Sequence, residues 1–92
     1  MSAAVVQQTV VVTNPQGFHM RPITAFVRRA AQFQCDVTVS REGQSVNGKS
    51  AWEMMAMLSL PGTALTVQAE GPDANAAVEE LIVLVNARAG DE

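Results

Sequence analysis

Ninety-two residues, 48% hydrophobic and 16% charged with a net charge of −3, fit a single globular domain over residues 1–92 with an aliphatic core and no room for a separate substrate-binding domain. One cysteine, Cys35, and one histidine, His19, exclude an internal disulfide and a metal-ligand cluster, and no cofactor-binding motif is present. Residues 1–49 carry five cations against two acids and the remainder one against seven, so the chain is a poor nucleic-acid binder, but its N-terminal half suits an anion or an acidic partner.

The N-terminus, Met1 to Gln8, lacks the basic start and long apolar stretch of a signal peptide, and no apolar run exceeds five residues. A cytoplasmic protein without membrane insertion is expected. The β-branched run Thr9-Val10-Val11-Val12 reads as a first strand, ended by the turn-forming Asn14-Pro15-Gln16-Gly17. Ile23, Phe26, Val27 and Ala30 then recur at helical spacing. Pro22 is tolerated only in a first turn, so the helix begins near His19 or Met20 and the histidine stands at its N-terminus.

Cys35, Val37 and Val39 alternate with polar residues, Glu42-Gly43 makes a tight turn, and residues 44–47 return as the second arm of a hairpin. Ser50-Ala51-Trp52-Glu53 has capping-box spacing: the serine hydroxyl takes one free backbone N–H and the glutamate carboxylate reaches back to another. A short helix over residues 51–58 follows, with Met54, Met57 and Leu58 as its core stripe. Pro61-Gly62 breaks the chain before a fourth strand carrying Leu65, Val67 and Ala69. Asp73 then caps a last helix whose apolar stripe is Val78, Leu81, Ile82 and Val85, closing with Arg88 and Gly90. The order βαββαβα predicts a two-layer α+β sandwich, with three helices packed on one face of a four-stranded antiparallel sheet.

Chemistry concentrates in Gly17-Phe18-His19-Met20-Arg21-Pro22, which places an imidazole, a guanidinium and the N–H groups of a helix start at one point. Alone, a histidine after a glycine turn is more often a turn or capping residue. With its neighbours it gains a different meaning. A phosphoryl group on a ring nitrogen brings negative charge, which helix N-terminal N–H groups and an arginine stabilise, and the phosphorylated imidazole stays reactive enough to pass the group on.

Gly17-x-His19-x-Arg21-Pro22 resembles the active-site motif of the HPr family, and Lys49-Ser50 before the second helix resembles that family's regulatory-serine motif. The likeness also takes in the first strand, the hairpin, residues 65–71 and the final helix. It implies a monomeric phosphocarrier, not an enzyme. His19 would take a phosphoryl group from enzyme I at Nδ1 and give it to a IIA protein or domain, Arg21 would help hold it, and Ser50 would be the target of an HPr kinase/phosphorylase. The resemblance further implies a docking surface of Met20, Thr24 and Arg28 on the first helix with Ala51, Trp52 and Met55 on the second. Met20 and Ala51 depart from the family's commoner residues and alter that surface more than the chemistry.

Two features have plainer readings. A serine three residues before Glu53 is explained by helix capping alone, and the Glu53 carboxylate would repel a phosphate placed there. Arg28 and Arg29 read by themselves as a solvated helix face. The competing function is a binding module of the same fold that acts through its phosphorylation state and not through sugar transport; retention of His19 favours the carrier.

Overall fold

A computed structural model describes residues 5–86. Strands β1 (Val5–Val11), β2 (Asp36–Arg41), β3 (Gln44–Asn47) and β4 (Ala64–Glu70) form one antiparallel sheet in the order β1-β4-β2-β3. Helices α1 (Met20–Ala30), α2 (Ala51–Met54) and α3 (Ala74–Val85) supply the second layer, and a 3-10 turn, Met55–Met57, continues α2. Strand alternation sets the layer boundary. Val37 and Val39 of β2, Val46 of β3 and Leu65, Val67 and Ala69 of β4 point into the core, where they meet Ile23 and Phe26 of α1, Met54 of α2 and Val78, Leu81 and Val85 of α3. The opposite face is polar: Gln7, Gln68, Thr38 and Asn47 lie side by side across the four strands, and Thr9 hydrogen-bonds Thr66 at 2.9 Å. Burial pushes the Cys35 thiol above its ordinary range, against an opposing pull from Lys49, so it is a poor nucleophile.

Several boundaries differ from the sequence expectation. Strand β1 starts at Val5 and not at Thr9, because β4 runs to Glu70 and pairs with the Gln7-Gln8 stretch that has no strand periodicity of its own. Val12 falls just beyond the strand yet is buried, bonded to Thr63 O and Gly62 N. The hairpin turn has Glu42 at φ +50° and Gly43 at φ +84°, the pair of positive φ values of a type I′ turn. Asp73 precedes α3 without capping it; its carboxylate instead accepts the Gln34 N–H at 2.8 Å. Arg88 and Gly90, expected to close α3, lie outside the described residues.

Helix α2 is shorter than the expected span over residues 51–58. The last turn tightens to 3-10 geometry, with Leu58 N–H reaching Met55 O, and Leu58 itself turns extended. Leu58 is therefore 44% exposed and not part of the core stripe with Met54 and Met57. Its extended backbone delivers Ser59 to Phe18. The two residues form an isolated antiparallel bridge, Phe18 N–H to Ser59 O at 2.8 Å and Ser59 N–H to Phe18 O at 3.0 Å.

Gly17, at φ +75°, packs directly on that bridge: a Cβ there would lie 2.1 Å from the Ser59 carbonyl oxygen. Gly17→Ala should therefore cost about 3 kcal/mol, combining a left-handed backbone with a backbone clash. Gly43→Ala, at φ +84° with nothing within 4 Å of the new methyl, should cost only about 1 kcal/mol. Urea titration of both variants checks the difference, and equal losses would mean that the Ser59 contact imposes no constraint.

Candidate functional site

The connection from β1 to α1 is held from three sides before it reaches His19. Asn14 closes a turn, accepting Gln16 N–H on its side chain at 3.1 Å and Gly17 N–H on its carbonyl at 2.7 Å. Asn86, one residue past α3, accepts Thr13 N–H at 2.8 Å and Asn14 N–H at 3.2 Å, and its amide donates to Val11 O at 2.9 Å. Phe18 is fully buried, packs edge-on to Phe26 with ring centroids 6.3 Å apart, and is pinned to Ser59. His19 thus leaves the core from a fixed point.

At His19 the backbone is extended and its carbonyl accepts the first helical bond, from Ile23 N–H at 3.0 Å. The residue is the N-cap of α1, but its half-buried side chain makes no capping hydrogen bond. The residue caps the helix through its backbone alone, and the imidazole takes no part in the cap. N–H groups of a first helical turn, such as that of Met20, lie beyond the reach of helical acceptors, and Pro22 stands where its missing N–H costs nothing. No acid occupies that first turn, so the positive end of the helix dipole is not neutralised from within the helix. Arg21, two residues after the histidine, is exposed, and Thr24, also exposed, bonds back to Met20 O at 2.8 Å.

Ser50 is the N-cap of α2 and accepts Glu53 N–H at 3.2 Å, as its spacing predicts. The return half of the capping box differs: Glu53 Oε1 accepts Asn47 N–H at 3.0 Å, and Ser50 N–H goes to Asn47 O. Lys49 is committed to Phe33 O at 2.8 Å. Beyond the cap, Trp52 is 83% exposed and Met55 45%, with Ala51 also exposed, while Met54 and Met57 are buried. Helices α1 and α2 pack together, so these side chains and Met20, 46% exposed, belong to adjoining elements.

Arg28 is exposed, as expected of a solvated face, but Arg29 is not merely solvated. Its guanidinium pairs with Glu80 at 2.6 Å and lies 4.8 Å from the centre of the Phe33 ring. Three residues near the site escaped the sequence reading. Asn86 could have been noticed only as an asparagine just past a helix, and Leu60, 79% exposed, only as an apolar residue stranded before Pro61-Gly62. In the sequence Arg41 is simply one more cation, yet it donates to Ala56 O at 3.1 Å, Leu58 O at 2.8 Å and Ser59 Oγ at 3.0 Å. Among the described residues no group of three or more His, Cys, Asp or Glu could hold a metal, and no helix is long and apolar enough to cross a membrane.

A family model described as "PTS HPr component phosphorylation site" matches residues 6–87. The chain is 38% identical over 80 residues to the phosphocarrier protein HPr of Vibrio cholerae, covering 87% of this chain and 94% of the relative. It is equally 38% identical, over the same coverage, to the HPr-like protein Crh of Bacillus subtilis. The crystal structure of an HPr from Bacillus anthracis superposes with a TM-score of 0.83 at 35% identity, over 90% of this chain and 99% of that one. Motif, fold and match over most of the length agree: the chain belongs to the HPr family of the phosphotransferase system.

Proposed function

We propose that this protein is a monomeric cytoplasmic phosphocarrier that receives a phosphoryl group on His19 from phosphorylated enzyme I and passes it to a IIA protein or domain. The observation that carries the reading is the unused imidazole at the N-cap of α1, rigidly mounted through Phe18 at a helix start without an acid in its first turn. His19 attacks phosphorus with the lone pair of Nδ1 as the bond to the donor breaks and the donor keeps the bonding pair. The ring is left protonated at Nε2, which makes it a good leaving group for the next transfer. Arg21 and the first-turn N–H groups stabilise the phosphoryl oxygens, so the protein contributes mostly position and field. The chain catalyses no turnover of its own. Partners dock on Met20, Thr24, Arg28, Ala51, Trp52 and Met55, exposed apolar, polar and cationic residues on two helices that pack together.

A second role at Ser50 has its own support. The likeness to Crh equals that to a V. cholerae HPr, and Ser50 Oγ acts only as a hydrogen-bond acceptor toward the helix. Phosphorylation there by an HPr kinase/phosphorylase makes the protein a regulatory module, with the added charge beside Trp52 weakening the docking of enzyme I.

Incubation with phosphoenolpyruvate and enzyme I should place one acid-labile, base-stable phosphate on the wild type and none on His19→Ala, whose circular dichroism stays native. Labelling of that variant would move the acceptor elsewhere. Arg21→Ala should still accept phosphate but transfer on the order of tenfold to a hundredfold more slowly; unchanged rapid-quench rates in both directions would remove Arg21 from the mechanism. For Ser50, Glu53→Gln is the informative variant, because its amide oxygen can still accept Asn47 N–H while the charge is gone. It should be phosphorylated by the kinase several times faster than wild type, and equal rates would show that Glu53 does not oppose the phosphate.

A further inference from the structure

We infer that Arg41 is a positioning residue for phosphoryl transfer, fixing the docking helix relative to His19; the inference rests on the carrier reading above. Arg41 ends β2, on the far side of the β2–β3 hairpin from α2 in sequence, and belongs to neither motif of the family resemblance. Its guanidinium nonetheless reaches three acceptors in a row. It donates to Ala56 O in the 3-10 turn that extends α2, to Leu58 O where the chain becomes extended, and to Ser59 Oγ. Ser59 Oγ donates onward to Met57 O at 2.7 Å.

The position of those acceptors is what matters. A basic side chain on the last carbonyls of a helix is an ordinary C-terminal cap. Here the same fork holds both the helix end and the next residue, whose backbone bonds Phe18 in both directions. On one side of Arg41 stands the turn continuing α2, which carries Trp52 and Met55; on the other stands the bridge from which His19 is hung. Transfer between two proteins requires the docked surface and the reacting nitrogen to be in register, and errors of about an ångström are costly in such steps. A planar guanidinium with several fixed donors can set that register, whereas a methylene chain cannot and an ammonium can do so only in part.

The test compares a reaction that needs docking with one that does not. Phosphoramidate, a small donor, modifies the imidazole as its P–N bond breaks and ammonia leaves, without contact to α2. In Arg41→Met the rate from phospho-enzyme I should fall about tenfold in kcat/KM while phosphoramidate labelling of His19 stays within about twofold of wild type. Amide exchange at Ser59 and Phe18 should accelerate, and Arg41→Lys should fall between the two proteins in both respects. The Arg41→Lys variant also remains readable should Arg41→Met prove too unstable, with the same direction and a smaller loss. Equal rates from enzyme I overturn the inference, and so does a parallel loss with both donors, which would make Arg41 a support of the His19 loop alone. A wild type that takes phosphate from phosphoramidate but not from enzyme I fails differently, overturning the carrier reading and with it this role.

Discussion

The site depends on one two-way backbone contact, the bridge between Phe18 and Ser59. It joins the residue before the histidine to the segment leaving α2, 41 positions further along the chain. The contact is possible because Gly17 has no side chain, since any Cβ would meet the Ser59 carbonyl. Phe18 then anchors one side of the junction in the core against Phe26. A histidine one residue beyond a buried, doubly hydrogen-bonded phenylalanine leaves the core from a defined backbone position. Such mounting is what a group needs when it must meet donors and acceptors on several different proteins with the same geometry each time.

Electrostatics divides the two arginines of α1's last turn from the one beside the histidine. Arg29 is drawn to Glu80 and Phe33, which ties α1 to α3 and removes its charge from general use. Arg28 remains exposed on the helix surface. Arg21 stands at the opposite end, where its charge adds to the helix dipole. The arginines of α1 are thus sorted by their place along the helix and by what their side chains meet.

What the sequence made legible follows from how local each cause is. The start of α1 is dictated by Pro22 and the apolar spacing behind it, the β2–β3 turn by Glu42-Gly43, and the cap at Ser50 by a three-residue offset to Glu53; each of these is found as expected. The misses share a different property. Asp73 chose Gln34, Glu53 chose Asn47, Arg29 chose Glu80 and Asn86 chose the loop after β1, all by proximity in space. Polar side chains take whichever donor the packing delivers, and packing is a tertiary outcome. Leu58 departs from its apolar spacing for a related reason: helical period predicts burial only while the helix continues, and the chain leaves helical geometry there to reach Phe18.

The hydrogen bond at Ser50 bears on what the proposed phosphorylation would do to α2 and to the proposed docking surface. Because Ser50 Oγ accepts from Glu53 N–H, a phosphate on that oxygen keeps the acceptor and adds three more at the positive end of the helix. The cap is therefore not lost. Lys49, already bonded to Phe33 O, would have to give up that contact to neutralise the new charge, and Glu53 opposes it. No side-chain cation within α2 would then pair with the added charge, close to Trp52 and Met55. Regulation through Ser50 would then act by the field it imposes on the docking surface and not by unfolding the helix, leaving the mount of His19, on the far side of the Phe18–Ser59 bridge, mechanically untouched.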